Sequence, residues 1–224
     1  MPLLGTGALA MWWDVDPGVR GEFEDWHSHE HFPERMSVPG FRRGSRWTST
    51  SGTAFFVLYE LETHDVLASP HYLQRLNNPT AWSVKMMPHH QNMVRSQCRV
   101  MESYGGGIAR SLLSIRISPE PGQEETLRAR FRDLLHEMPF RPGLTGGHLL
   151  HTETPAIPTT TEQKIRGSDR VADWIVLVSA YDTRALHELM ARELDRAALV
   201  DAGVRPAPIA GLYDISYSLS AYDL

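Results

Sequence analysis

The feature that most constrains this chain is an internal repeat. A strand-like run from Ala8 to Trp13 leads into a helical stretch that stops at Pro39-Gly40-Phe41. A second run, Ser111 to Arg116, leads into a helical stretch that stops at Pro142-Gly143-Leu144. The two stops lie 103 residues apart (142 − 39), and so do the strand starts Ala8 and Ser111. Self-similarity at a fixed offset restricts a chain to folds built from like units. The copies differ in chemistry. The first helix reads Trp26-His27-Ser28-His29-Glu30-His31-Phe32-Pro33-Glu34-Arg35, where the second carries an apolar stripe of Leu127, Phe131, Leu134, Leu135 and Met138. One polar site in a duplicated body is the expectation.

Each copy reads β-α-β-β-α-β. In the first, strands are expected over Ala8–Val15, Phe41–Ser49, Thr53–Glu62 and Arg95–Tyr104, with a turn at Ser51-Gly52. Asp16-Pro17 predicts a helix start, Asp as N-cap and Pro at the first helical position. That helix runs to about Met36. A second helical region from Thr63 is interrupted at Pro70, Pro79 and Pro88. In the second copy, strands are expected over 109–118, 143–153, 171–181 and 209–218, and helices over 123–138 and 183–202. Gly105-Gly106-Gly107 is the best linker, which divides the chain into a site-bearing repeat, 1–106, and a second repeat, 107–224. Matching Val57 to Val176 needs an offset of 119 (176 − 57), so the second copy holds an insertion. Residues 154–170, rich in Thr and Pro, predict a loop or flap there.

A β-α-β-β-α-β unit is the split βαβ, ferredoxin-like plan: a four-stranded antiparallel sheet with helices on one face. The other face needs a cover. A second copy supplies it, so the class predicted is α+β, tandem ferredoxin-like repeats packed sheet to sheet into a barrel within one chain.

Bulk properties narrow the partners. A formal charge of −5 over 224 residues gives no electrostatic reason to expect nucleic acid or an anionic membrane. The longest apolar runs are strand-sized, so no transmembrane helix is expected. The N-terminus lacks a basic start and a small-residue cleavage site, so no signal peptide is expected. The one cysteine, Cys98, excludes an internal disulfide framework and fits a reducing cytoplasm. Open sheet edges leave room for a homodimer.

The topology, with Glu30-His31, Pro33-Glu34-Arg35 and Val38-Pro39-Gly40-Phe41, resembles the dimeric α/β-barrel superfamily, in the style of its EthD-like and related bacterial members. Tyr59-Glu60-Leu61-Glu62, Ser69-Pro70 and Asn78-Pro79 also resemble that group. The resemblance covers most of residues 8–104, and the second half matches in layout. It implies a ligand held between sheet and helices or inside the barrel. It also implies a choice among cofactor-free monooxygenases, polyketide cyclases, lactone isomerases and haem-dependent members. His27 and His29 do not match the group's pattern.

His31 falls where the second copy places Leu134 or Leu135, so a histidine occupies an inward position. A buried polar group must be satisfied or costs about 1–3 kcal/mol. Imidazole is the side chain that takes and returns protons near neutrality, so His31 is the candidate general base. Against that stands a histidine that only completes a helix end. Glu30 could orient a partner or act as a second carboxylate. Arg35 could bind an anionic substrate group or cap the helix. Tyr59 could donate to a developing oxyanion.

His27 and His31 are four apart, at metal-ligand spacing on one helical face, while His29 points elsewhere. The Glu lies beside the second His, unlike a zinc-protease helix, and further ligands would have to come from His89 or His90. Trp12, Trp13, Trp26, Trp47, Phe55, Tyr59 and Trp82 gather in the first half, with Trp12 and Trp13 on opposite faces of one strand. Aromatic walls suit an aromatic or polyketide-like small molecule, although they also serve as core. The reading is a cofactor-independent enzyme using a His base, an isomerase, cyclase, lyase or cofactor-free monooxygenase. A haem or divalent-metal protein and a non-catalytic binding protein are the alternatives.

Overall fold

The computed structural model of the chain describes residues 2–50, 52, 54–167 and 169–224. The strands are β1 (Gly7–Asp14), β2 (Phe41–Ser49), β3 (Phe55–Leu61), β4 (Gln91–Gly105), β5 (Ser111–Ile117), β6 (Leu144–Thr152), β7 (Trp174–Ala180) and β8 (Ile209–Ser220). The helices are α1 (Arg20–Trp26), α2 (Phe32–Met36), α3 (Pro70–Asn77), α4 (Ala81–Met86), α5 (Glu124–Glu137), α6 (Thr161–Arg166), α7 (Thr183–Met190) and α8 (Arg196–Asp201). The turn expected at Ser51 and the strand start at Thr53 lie outside the described residues. The strands hydrogen-bond in the order β1-β3-β2-β8-β5-β7-β6-β4. The class is therefore the one expected: α+β, tandem ferredoxin-like repeats of the α/β-barrel type.

Two units make up the chain. One takes Leu4–Arg99, Glu153–Val171 and Ser216–Leu224; the other takes mainly Val100–Thr152 and Ala172–Ile215. The insertion belongs by sequence to the second repeat, but by contact it is part of the first unit.

In the site-bearing unit, β1 pairs antiparallel with β3 (Gly7↔Leu61 to Trp13↔Phe55) and with β4 (Gly7↔Arg99 to Trp12↔Val94). Strand alternation sends successive side chains to opposite faces. Leu9, Met11 and Trp13 join Val57, Tyr59 and Leu61 in one core with Phe23, Trp26 and Phe32 of the helices. Trp12 faces the other way, its ring 4.9 Å from Phe56, which lies 5.5 Å from Trp47. Gly44 allows close approach here. A Cβ at that position would lie 2.5 Å from Phe32 and 2.7 Å from Tyr59, so only glycine lets those two rings meet over β2.

The first helix departs from expectation at its start and in its middle, and ends at Met36 as expected. Asp16 does not cap it: its carboxylate accepts from Gly18 N at 2.7 Å, closing a tight turn, and the helix begins at Arg20. Between α1 and α2 the backbone widens into a π-helical segment, His27–His31. Such segments are rare and cluster at functional sites. The predicted helix over 183–202 is broken into α7 and α8, because Asp195 caps a new start by accepting from Ala198 N at 2.8 Å. The insertion is more than a loop. Thr160 caps α6, accepting from Gln163 N, and α6 packs on α3.

In the other unit, β5 pairs with β7 and β8, and β6 pairs with β7. The stripe Leu127, Phe131, Leu135 and Met138 packs on Ile115, Val176 and Val178. This copy of the helix covers its sheet with apolar side chains alone, as the sequence implied.

Candidate active site

The polar residues of the first helix lie between sheet and helices of the site-bearing unit. His27 and His31 are both buried. Their rings stack at 5.3 Å. His31 packs 4.6 Å from Trp26, and His27 lies edge-on to Trp13 at 5.6 Å and to Phe32 at 4.7 Å. His29 is exposed and pairs with the Asp25 carbonyl at 3.0 Å, outside the cluster.

Two further residues complete the cluster, and sequence reasoning passed over one of them, Arg46. His90 stands 5.0 Å from both Trp13 and Phe23. Arg46, buried on β2, brings Nη1 within 3.4 Å of His27 Nδ1. Arginine only donates, so His27 accepts there and carries its proton on Nε2. Arg46 was legible as a cation on the Gly44 face of an alternating strand. His90 was named only as a distant metal ligand, and nothing local placed it against Trp13 and Phe23.

Burial dominates the electrostatics. It holds His31 well below the usual histidine range, and the Arg35 guanidinium adds to the effect. His27 is depressed in the same way by burial and then by Arg46, and His90 falls to about 3 through burial and then Arg166. All three imidazoles are neutral at pH 7. Their native-state affinity for protons is below that of the unfolded chain, so stability is lost as pH falls below about 6.5. Each histidine contributes up to about 1.4 kcal/mol per pH unit in that window, roughly 4 kcal/mol per unit for three. Urea midpoints measured at stepwise lower pH should fall steeply before carboxylates begin to titrate. A flat profile between pH 6.5 and 5 would show that these groups protonate freely in the native state.

Several polar atoms in this layer are buried without a hydrogen-bond partner: His31 Nδ1, the Tyr59 hydroxyl and Trp13 Nε1. Arg35 is the foremost charged neighbour of both His31 and Tyr59. Burial raises the Tyr59 pKa, so its O–H is retained as a donor. Native proteins rarely leave such groups unpaired, and a cluster of them marks a place where a ligand or water completes the bonding.

The remaining predicted residues have other positions. Glu30 is not free to serve as a second base: its carboxylate accepts from Trp26 Nε1 (3.2 Å), Thr80 Oγ1 (2.5 Å) and Ser83 Oγ (3.3 Å), clasping α4 to the helix. Arg35 neither caps the helix nor opens to solvent. It is 2% exposed, donates through Nη2 to Glu162 of the insertion, and lies 3.5 Å from Glu34. Glu162 outweighs the burial and raises the Arg35 pKa. Trp82 is half-buried against the outside of the core, and Trp12 and Trp47 lie on the sheet face away from the helices. Only Trp13 and Trp26 of the aromatic set line the histidine cluster.

Metal ligation fits this donor set poorly. The buried Arg46 guanidinium occupies His27 Nδ1, and the carboxylate nearest in sequence is committed to α4. Among the described residues no three His, Cys, Asp or Glu side chains gather as a metal-holding group.

No protein-family model and no curated protein sequence matches the chain. Solved structures do. An anthrone oxidase-like protein superposes with a TM-score of 0.65 at 13% identity, covering 98% of this chain and 95% of its own. A provisionally named monooxygenase of Fusobacterium nucleatum subsp. nucleatum gives 0.65 at 6%, covering 96% and 95%. A major regulator of staphylococcal pathogenesis gives 0.53 at 8%, covering 94% and 99%. These likenesses show the fold alone: a ferredoxin-like α/β barrel with both repeats in one chain. Their names span enzymes and a regulator, so fold does not choose the reaction. No helix among the described residues is long and apolar enough to cross a membrane.

Proposed function

We propose that the protein is a cofactor-independent enzyme that abstracts a proton next to a carbonyl on an aromatic or polyketide-like small molecule, with His31 as the base. The observation that carries this is the buried, neutral imidazole of His31, its Nδ1 unpartnered, with the unpartnered Tyr59 hydroxyl in the same layer and Arg35 acting on both. A neutral imidazole accepts the proton. A retained phenol O–H and a guanidinium stabilise the enolate oxygen in a water-poor setting, where such donors are worth most. Trp13 and Trp26 supply flat apolar walls. Isomerisation, cyclisation and elimination all proceed from that enolate. So does oxygenation: an electron-rich carbanion reacts with O2 directly, and conversion of CH2 to C=O releases one water.

The test uses chelator-treated protein and a panel of ring ketones including anthrone. Deuterium uptake from D2O at the carbon beside the carbonyl, faster than in buffer, is expected. Oxygen consumption with it assigns a monooxygenase, and exchange without it assigns an isomerase or cyclase. Tight binding with no exchange would replace the reading by a carrier function. A Soret band or stoichiometric metal in the purified protein would replace it by haem or metal chemistry.

A further inference from the structure

A pocket of about 160 Å³ lies in the same unit, walled by α3, β4 and the insertion. We propose that it is a binding site for a small monocarboxylate, held by Arg95 and Gln97. These two residues lie two apart on β4, so they share a face. Their β1 partners, Met11 and Leu9, are in the helix-side core, which fixes that face as the one turned to the helices.

Gln97 is 4% exposed, and its Nε2 is buried with no hydrogen-bond partner. It lines the pocket, so an acceptor atom placed there would complete its bonding. Arg95 supplies the charge. Its Nη2 donates to the Tyr72 hydroxyl at 3.1 Å, and it has no ion pair among the described residues. The other two cations near the pocket are matched. Arg166 holds Asp169 through two bonds, at 3.0 and 2.7 Å, and Arg35 holds Glu162. Of the two arginines that line the pocket, Arg95 is thus the one without a carboxylate partner among the described residues, which suits a monoanion. A second negative group would meet Glu162 on the wall.

Shape points the same way. Leu76, Pro155 and Ile157 give an apolar end for a short alkyl tail. The volume equals about five waters at ~30 Å³ each, room for an acid of a few heavy atoms. A planar carboxylate can take one N–H from the guanidinium and one from the amide, each bond to an ionised acceptor being the strong kind.

Calorimetric titration with propionate at neutral pH tests the site, with propionamide as the uncharged isostere and succinate as the dianion. Saturable propionate binding is expected, with the other two at least about tenfold weaker. Gln97→Leu should weaken propionate about tenfold, the value of one charge-assisted bond. Arg95→Met should abolish binding. Circular dichroism and melting curves check that both variants fold, and if Arg95→Met does not, Gln97→Leu carries the test alone. Equal binding of propionamide, unchanged binding in Gln97→Leu, or no saturation by about 50 mM propionate would overturn the proposal.

Discussion

Replacing His31 by alanine is expected to lower turnover by about 10²–10⁴-fold while the protein stays folded, the usual contribution of a positioned general base. The fold should survive because the substitution acts in two opposing ways. It removes a buried nitrogen that has no partner, and it leaves a small void beside Trp26. The two effects are each about 1–3 kcal/mol and opposite in sign. His31→Asn is the companion variant, since it keeps a polar group but has no basic nitrogen. Both should lose turnover alike. His27→Ala should act differently: it strips Arg46 of an acceptor, so it should destabilise the protein more than it slows the reaction. The pH profile adds a sign. Burial and Arg35 hold His31 below the usual range, so the basic form persists below pH 6.5 and activity should stay level there until unfolding intervenes. Wild-type turnover in both His31 variants would end its role as the base.

Glu162→Ala is expected to cost about 3–5 kcal/mol, the effect of stranding a buried charge. Arg35 and Glu162 are both almost fully buried, with side chains 2% and 3% exposed. Removing the carboxylate leaves the guanidinium with Glu34 alone, at 3.5 Å. The double variant Arg35→Met/Glu162→Leu should recover most of that loss, because a hydrophobic pair of similar volume escapes the desolvation cost of both charges. Urea denaturation of the two single variants and the double one reads this directly. If Glu162→Ala costs less than about 1 kcal/mol, the pair behaves as a surface contact and the insertion is not tied to the site. A large single-variant loss without recovery would instead assign the cost to packing of α6.

His31 and Glu162 illustrate how differently the two parts of the site are written in the chain. His31 was visible because the chain supplies its own control. The second copy puts a leucine at the matching position, so a histidine there stands out against helical periodicity. Trp12 and Trp13 were likewise assigned to opposite faces by strand alternation, and Trp12 packs on Phe56 while Trp13 joins the helix-side core. Glu30 was left with two roles, to orient a partner or to act as a second carboxylate. It shares a face with Trp26, accepting from its Nε1, and its carboxylate also clasps Thr80 and Ser83. Hydrophobic patterns do not name such distant partners.

The sequence by itself determined the repeat, the order of elements, the α+β class and the copy that holds the polar site. Each of these follows from local rules: periodicity of 2 or 3.6, turn residues, and comparison of one half with the other. Only the tertiary structure decided the partners. Arg35 meets a glutamate 127 residues away, His27 meets Arg46 from β2, and the insertion docks on the unit opposite to its place in the sequence. The physical reason is that a charge shows no preference for its partner along the chain. Desolvation makes a partner obligatory once the group is buried, and burial is set only when sheet and helices close over it.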